Sequence, residues 1–159
     1  MTDELLSKLQ NEAVRLRSTA LRFHDHFVVS GAPLAREVGF SSQLHELIQA
    51  HADYVAPTAK ANYLYYDKVG LGIDPHVDNE SFSLNAVLML QHEYEQDPSA
   101  LVIYPPNSAP ERIFLVPGEM IVLFADSIVH ARERMAPNER VTIVGFGFQP
   151  IREKLDQND

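Results

Sequence analysis

Residues 101–124 read LVIYPPNSAPERIFLVPGEMIVLF, three apolar runs cut by turn residues. The runs are Leu101 to Tyr104, Arg112 to Val116 and Met120 to Phe124, and the breaks carry Pro105-Pro106-Asn107 and Pro117-Gly118. Runs this short, rich in β-branched residues and bounded by Pro, Asn and Gly, read as strands. The same texture extends outward to Ala61 to Tyr66, Phe82 to Gln91 and Val141 to Phe148, with breaks at Gly70 and Gly72, Asp97-Pro98 and Pro137-Asn138. Many short strands at this spacing predict an antiparallel barrel or jelly roll over 58–150.

Before Pro57 the pattern is helical. From Asp3 to about Arg22 the residues Leu5, Leu6, Leu9, Ala13, Val14, Leu16 and Leu21 recur at spacings of three and four, an amphipathic helix whose apolar face must cover something. Phe27 to Ser30 reads as a short strand, Gly31 and Pro33 punctuate it, and Ser41 to about Ala52 reads as a second helix with Ser41 or Ser42 as N-cap. The expectation is one mainly β domain over 1–159, with a helical buttress over 1–57 and a polar tail over 151–159.

The chain has 159 residues, 45% of them hydrophobic, enough for one core. It has no cysteine, which excludes disulfides, thiolate zinc sites and a cysteine nucleophile, so any metal is held by imidazole and carboxylate. Lys and Arg number 13 against 22 Asp and Glu, and the net charge of −9 disfavours nucleic acid and anionic membranes as partners. The start, Met1-Thr-Asp-Glu-Leu-Leu-Ser-Lys8, lacks the basic and apolar regions of a leader, and no run approaches the ~20 apolar residues of a membrane span, so a cytoplasmic location is expected.

His-x-Asp occurs twice. His51-Ala52-Asp53 falls at the end of the second helix, where residues i and i+2 project about 200° apart and cannot easily chelate one ion. His76-Val77-Asp78 follows a strand-like stretch, where i and i+2 share a face and both side chains can converge on a metal. His24-Asp25-His26 sits at a helix-to-strand junction and reads as a polar junction near the surface. His130 comes just after the apolar strand Met120 to Phe124, in Ala125-Asp-Ser-Ile-Val-His-Ala-Arg132. Two imidazoles and one carboxylate leave three open positions on one octahedral face, which suits iron(II) chemistry with oxygen. Taken singly, His130 is equally a satisfied core histidine.

Arg140 follows ten residues after His130. The segment Met135-Ala-Pro-Asn-Glu139 is able to reverse the chain, so the strand bearing Arg140 and Thr142 is expected to run back beside the strand bearing His130. A guanidinium fork with a hydroxyl on the same face is well made to hold a carboxylate within reach of the metal.

With these residues in place, the chain resembles the iron(II)- and 2-oxoglutarate-dependent dioxygenases of the double-stranded β-helix type. The resemblance rests on Asn62-Tyr-Leu-Tyr-Tyr66, Gly72-Ile-Asp-Pro-His-Val-Asp78, Leu84-Asn-Ala-Val-Leu-Met-Leu-Gln91, Pro117-Gly118, Val129-His-Ala131 and Arg140-Val-Thr142. It implies a cupin-like jelly-roll core, with His76, Asp78 and His130 as the iron ligands. It also implies that Arg140 and Thr142 hold the distal carboxylate of the cosubstrate 2-oxoglutarate, and that O2 is consumed. The implied activity is hydroxylation of a small-molecule metabolite or natural-product intermediate, with decarboxylation of 2-oxoglutarate to succinate. The chain departs from the family in its short length and in Ser99-Ala100, where relatives often carry glycines and an acidic residue.

For the pocket, Tyr63 and Tyr65 share a face of one strand, and Asn85 and Met89 share a face of another. A tyrosine hydroxyl or the Asn85 amide facing the metal binds 2-oxoglutarate or orients substrate; alternatively the tyrosines are core residues and Asn85 pairs with backbone. Phe124, Phe146 and Phe148 are expected in the core. Arg132 and Arg134 read as solvated charges, but Arg132 shares a face with His130 and would meet an anionic substrate group. Two rival readings remain: a cupin-like metal enzyme that does not use 2-oxoglutarate, such as an isomerase, and a non-catalytic small-molecule-binding barrel.

Overall fold

The computed structural model describes residues 2–52 and 55–151. A helix α1 (Asp3–Leu16) is capped by Thr2, whose hydroxyl accepts from Leu5 N–H, and Asp3 and Glu4 complement its N-terminal dipole. A 3-10 turn (Arg17–Thr19) follows, then strands β1 (Leu21–Phe23) and β2 (His26–Ser30). Two short helices come next, α2 (Pro33–Gly39) and α3 (Ser42–Gln49), the second capped by Ser41 as its sequence predicts. The strands β3 (Val55–Tyr66), β4 (Ile73–His76), β5 (Leu84–Glu93), β6 (Leu101–Tyr104), β7 (Glu111–Ile113), β8 (Met120–Leu123), β9 (Val129–Arg132) and β10 (Arg140–Pro150) complete the described chain.

They form two antiparallel sheets. One has the order β1-β2-β3-β10-β5-β8, the other β4-β9-β6-β7. The helices cover the outer face of the six-stranded sheet: Leu9, Ala13, Ala35, Leu44 and Ile48 pack on Ala61, Leu84, Leu88, Val144, Phe146 and Phe148. Burial of one such side chain contributes about 1.5–3 kcal/mol, so this layer is the main apolar core. The buried Glu12 pins it: its carboxylate accepts from the N–H groups of Leu34 and Ala35 at 3.0 Å and from Tyr63 Oη at 2.8 Å, tying α1 to α2 and β3. A smaller cluster between the sheets holds Tyr66, Leu71, Met89, Met135 and Val141, with Ile73 and Ile143 against it.

The two-sheet jelly roll with N-terminal helices is the architecture that the sequence predicts, but several local readings need correction. The first helix stops at Leu16, because residues 21–23 pair with β2 at the sheet edge instead of continuing the helical stripe. The stretch read as punctuation at Pro33 is a helix with Pro at its first position. His26 is not a surface residue: it is buried and stacks on Tyr66 with ring centroids 5.7 Å apart. Phe146 and Phe148 are fully buried as expected, but Phe124 is 55% exposed, since β8 ends at Leu123. His51 lies in the turn after α3, and its partner Asp53 lies outside the described residues, as does the tail from 152 onward.

One correction bears directly on the site. Strand β10 does not run beside β9: it pairs with β3 and β5, whereas β9 pairs with β4 and β6. The turn at Pro137 and Asn138, where Asn138 adopts φ 61°, carries the chain from one sheet to the other.

Candidate metal centre

His76 ends β4 and stands opposite His130 in the β4–β9 ladder, with the two ring centroids 4.3 Å apart. This close pairing depends on Gly72, since a Cβ there would lie 2.7 Å from the Arg132 carbonyl oxygen. Two residues beyond His76 the backbone N–H of Asp78 donates to the Ala125 carbonyl at 2.7 Å, so the loop after β8 fixes the carboxylate. Asp78 Oδ1 lies 3.3 Å from His76 Nε2 and 3.7 Å from His130 Nε2. One donor atom from each residue lies within 4.8 Å of the others, and among the described residues this is the one His/Asp/Glu group so arranged. Metal bonds of about 2.1 Å put two ligands at right angles about 3 Å apart, so the triad fits one ion with a small inward movement.

The protonation pattern also suits a metal. His76 Nδ1 lies 2.9 Å from the Asp74 carbonyl and His130 Nδ1 lies 3.0 Å from the Ile128 carbonyl. A carbonyl only accepts, so Nδ1 is a donor in both rings, and each Nε2 is turned toward Asp78. The other carboxylate oxygen accepts from Asn85 Nδ2 at 2.9 Å, the kind of outer partner that orients a ligating carboxylate. Gly145 gives Asn85 its room, since a Cβ there would approach Asn85 Oδ1 to 3.0 Å. The Asn85 Oδ1 itself is buried without a partner.

Electrostatically the three groups support one another. The hydrogen bond to Asp78 raises the His76 pKa against the opposing effect of burial. Burial alone would raise Asp78, but hydrogen bonds from His76 and Asn85 outweigh it and hold the carboxyl below its usual value. Burial lowers His130, favouring the neutral ring that ligation requires.

The structure brings Asn85 to the triad and leaves other predicted pocket residues elsewhere. Tyr63 and Tyr65 point into the helix layer, where Tyr65 Oη donates to the Ala13 carbonyl at 2.9 Å and burial pushes its pKa up to about 12. Both are the amphipathic core residues of the alternative reading. Thr142 stands opposite Tyr65 and therefore shares that face; its hydroxyl donates to Gln91 Oε1 at 3.3 Å. Arg140 is exposed at the start of β10, opposite Glu93. Neither turns toward the triad, because β10 crosses to the other sheet. Met89 sits in the intersheet cluster.

Arg132 is 6% exposed and lies on the same face of β9 as His130. Its Nη2 donates to Ser99 Oγ at 2.8 Å and to the Ser99 carbonyl at 3.1 Å. Ser99 in turn donates through both N–H and Oγ to Glu139 Oε1 at 2.7 Å. Burial would raise Glu139, but donors from Ala136, Ser99 and His92 outweigh it and hold the carboxyl at about 2. Reading the sequence singled out Arg132 but missed Tyr66, Ser99, His92 and Glu139. Tyr66 adjoins Tyr65 on the opposite face of β3, so strand alternation would have found it once the inner face was known.

No family model matches the sequence, and no curated protein matches it. Solved structures do match its fold. The α-ketoglutarate-dependent non-haem epimerase SnoN from nogalamycin biosynthesis aligns with a TM-score of 0.78 at 14% identity, covering 94% of this chain and 74% of the other. HygX from Streptomyces hygroscopicus, with nickel, 2-oxoglutarate and hygromycin B bound, aligns with a TM-score of 0.74 at 10% identity, covering 94% and 80%. A prolyl-4-hydroxylase from Pseudomonas putida aligns with a TM-score of 0.70 at 16% identity, covering 95% and 89%. The fold of this chain is thus the one these enzymes share.

Proposed function

We propose that this chain, built on that fold, is an iron(II)- and 2-oxoglutarate-dependent oxygenase acting on a small-molecule substrate. The observation that carries the reading is the convergence of His76 Nε2, His130 Nε2 and an Asp78 oxygen between the two sheets, with both rings locked in the ligating tautomer. Nitrogen and oxygen donors without thiolate suit iron(II), and three protein ligands leave room for a chelating 2-oxo acid and O2. Iron held there would supply oxygen activation and C–H cleavage, with 2-oxoglutarate as the reductant that leaves as succinate and carbon dioxide.

The residues of the chain do the arranging. His76 and Asp78 are fixed by the Asp74 and Ala125 carbonyls, and Asn85 keeps the second Asp78 oxygen turned aside. A carboxylate in the triad fills the position that a halide would need, which favours hydroxylation over halogenation. SnoN and HygX bear names that tie them to nogalamycin and hygromycin B, which supports a natural-product-like small molecule as the class of substrate here. The rival reading as a non-catalytic barrel leaves the tautomer-locked histidines unexplained.

Anaerobic titration tests the proposal. Iron(II) followed by 2-oxoglutarate is expected to give a weak visible metal-to-ligand charge-transfer band, and a survey of small molecules is expected to find one that stimulates succinate release. Folded protein that binds iron(II) but never develops the band would sink the reading.

A further inference from the structure

We infer that the junction of β3 and β10 at Thr58, Ala59 and Gly147 is a seat that positions Asp78, acting through the turn that follows it. The inference rests on the functional reading above and adds which residues outside the triad set the distance of its carboxylate from the two histidines.

The seat begins as an irregularity in the ladder. Phe146 stands opposite Ala61 and Phe148 opposite Pro57, so β10 advances two residues while β3 advances four, which makes a bulge in β3. Ala59 within it takes φ 65°, a left-handed conformation that alanine rarely adopts. Bulges gather beside functional sites because they re-aim a side chain. Here the side chain is Thr58, whose single hydroxyl proton lies between the Ser81 carbonyl at 2.8 Å and the Gly147 carbonyl at 3.1 Å. Ser81 comes three residues after Asp78.

Gly147 completes the notch. A Cβ there would lie 2.3 Å from the Ser81 carbonyl oxygen and 2.7 Å from Thr58 Oγ1, so the turn rests directly on the β10 backbone. Phe82 closes in from the side, with Cδ1 3.1 Å from the same point. A left-handed alanine and a glycine with no room for a methyl thus meet at one place in the sheet, and what fills that place is the segment carrying Asp78.

The turn is stiff enough to pass its position on. Asn79 Oδ1 accepts from Ser81 N–H at 2.9 Å, the Asn79 carbonyl from Phe82 N–H at 2.9 Å and the Glu80 carbonyl from Ser83 Oγ at 3.0 Å, closing a 3-10 turn over Glu80–Phe82. On its far side Asp126 N–H donates to the Ser83 carbonyl at 3.4 Å and Asp78 N–H to the Ala125 carbonyl, so Asp78 is held between the loop after β8 and the seat. Asn85 restrains only the second carboxylate oxygen. A metal ligand tolerates an error of about 0.2 Å in bond length. A methyl at position 147 would drive the Ser81 carbonyl back by roughly 1 Å before contact became ordinary, several times that tolerance.

Cobalt(II) titration of the oxygen-free protein, followed by its visible d–d bands, tests the seat without any turnover. Gly147→Ala is expected to weaken cobalt(II) binding about 100-fold and Thr58→Val roughly 10-fold, the range for partners that orient a ligand, while Thr58→Ser keeps the hydroxyl and stays within about threefold of wild type. At saturating metal the d–d bands of Thr58→Val are expected to shift, since the carboxylate meets the ion differently. All titrations are made well below the thermal transition, so that a change in fold stability alone does not move them. Folded Thr58→Val with wild-type affinity and unshifted bands overturns the inference, and so does a loss in Thr58→Ser as large as in Thr58→Val. If Gly147→Ala does not fold, the two Thr58 variants decide. Wild-type protein that takes up no cobalt(II) overturns the metal-centre reading itself, and the inference with it.

Discussion

The interior between the two sheets has two ends that solve the problem of buried polarity in opposite ways. At the triad end each side chain is supported: Nδ1 of both histidines by a carbonyl, and Asp78 by its N–H bond to the Ala125 carbonyl and by Asn85. At the other end Arg132 is held by Ser99 on one side only and carries a donor that nothing answers. The comparison teaches that convergent, mutually supported donors and a buried charge with an unanswered donor are two different ways of carrying polarity in one interior. In the first the donor atoms converge within 4.8 Å of one another; in the second a buried guanidinium nitrogen has no partner. Arg140, eight positions further along, shows what an arginine looks like without either role.

The largest effect that would break the contrast is at the metal end. His130→Ala is expected to weaken iron(II) binding by more than about 1,000-fold, because it removes a ligand from a three-residue site. Retained stoichiometric iron would show that His130 is a core histidine after all. The next effect concerns His26, which stacks on Tyr66 beneath the interior and whose burial, helped by His24 and His76, brings its pKa down to about 4. Folded protein then keeps the ring neutral while the unfolded chain takes up a proton below its ordinary value of 6.5. Stability is therefore unchanged above that value and is lost as the pH falls from 6.5 towards 4, by roughly 3 kcal/mol. His26→Phe keeps the stack and is expected to flatten that part of a denaturation-versus-pH curve; an unchanged slope would mean the ring is solvated.

Asn85→Ala is expected to leave the ligands present but loosen Asp78, costing about 10–100-fold in iron affinity without unfolding the protein. An effect as large as that of His130→Ala would place Asn85 among the ligands. The smallest expected effect is the most specific. Arg132→Met removes a buried, unanswered cation and is expected to leave the ligand-free protein as stable or more stable by about 1 kcal/mol, whereas Arg140→Ala, on the surface, stays within about 0.5 kcal/mol. Strong destabilisation by Arg132→Met in chemical denaturation would mean that the guanidinium serves the fold rather than a ligand.

How much of this was legible in the chain depends on how local the signal is. The triad was legible because an extended His-x-Asp presents both side chains to one side whatever the strand pairs with, and because His51-Ala52-Asp53 fails the same geometric test. Asn85 was singled out on the right strand, but its bond to Asp78 joins β5 of one sheet to the segment after β4 of the other. The face of β10 was not legible. Both of its sides are apolar, Val141 and Ile143 on one and Val144, Phe146 and Phe148 on the other, so alternation does not say which side is inside. The helices decide that question by covering Phe146 and Phe148, and they carry Thr142 with them.

The sequence by itself determined the strand-rich core, the helical buttress, the donor set without thiolate and the candidate triad of His76, Asp78 and His130, since each follows from short-range periodicity or from residue chemistry. Only the tertiary structure decided that the turn at Pro137 and Asn138 crosses between sheets instead of closing a hairpin, because the same five residues allow both and the choice rests on which apolar face the helices bury. That one crossing turned Arg140 to solvent and left Arg132 as the charge inside.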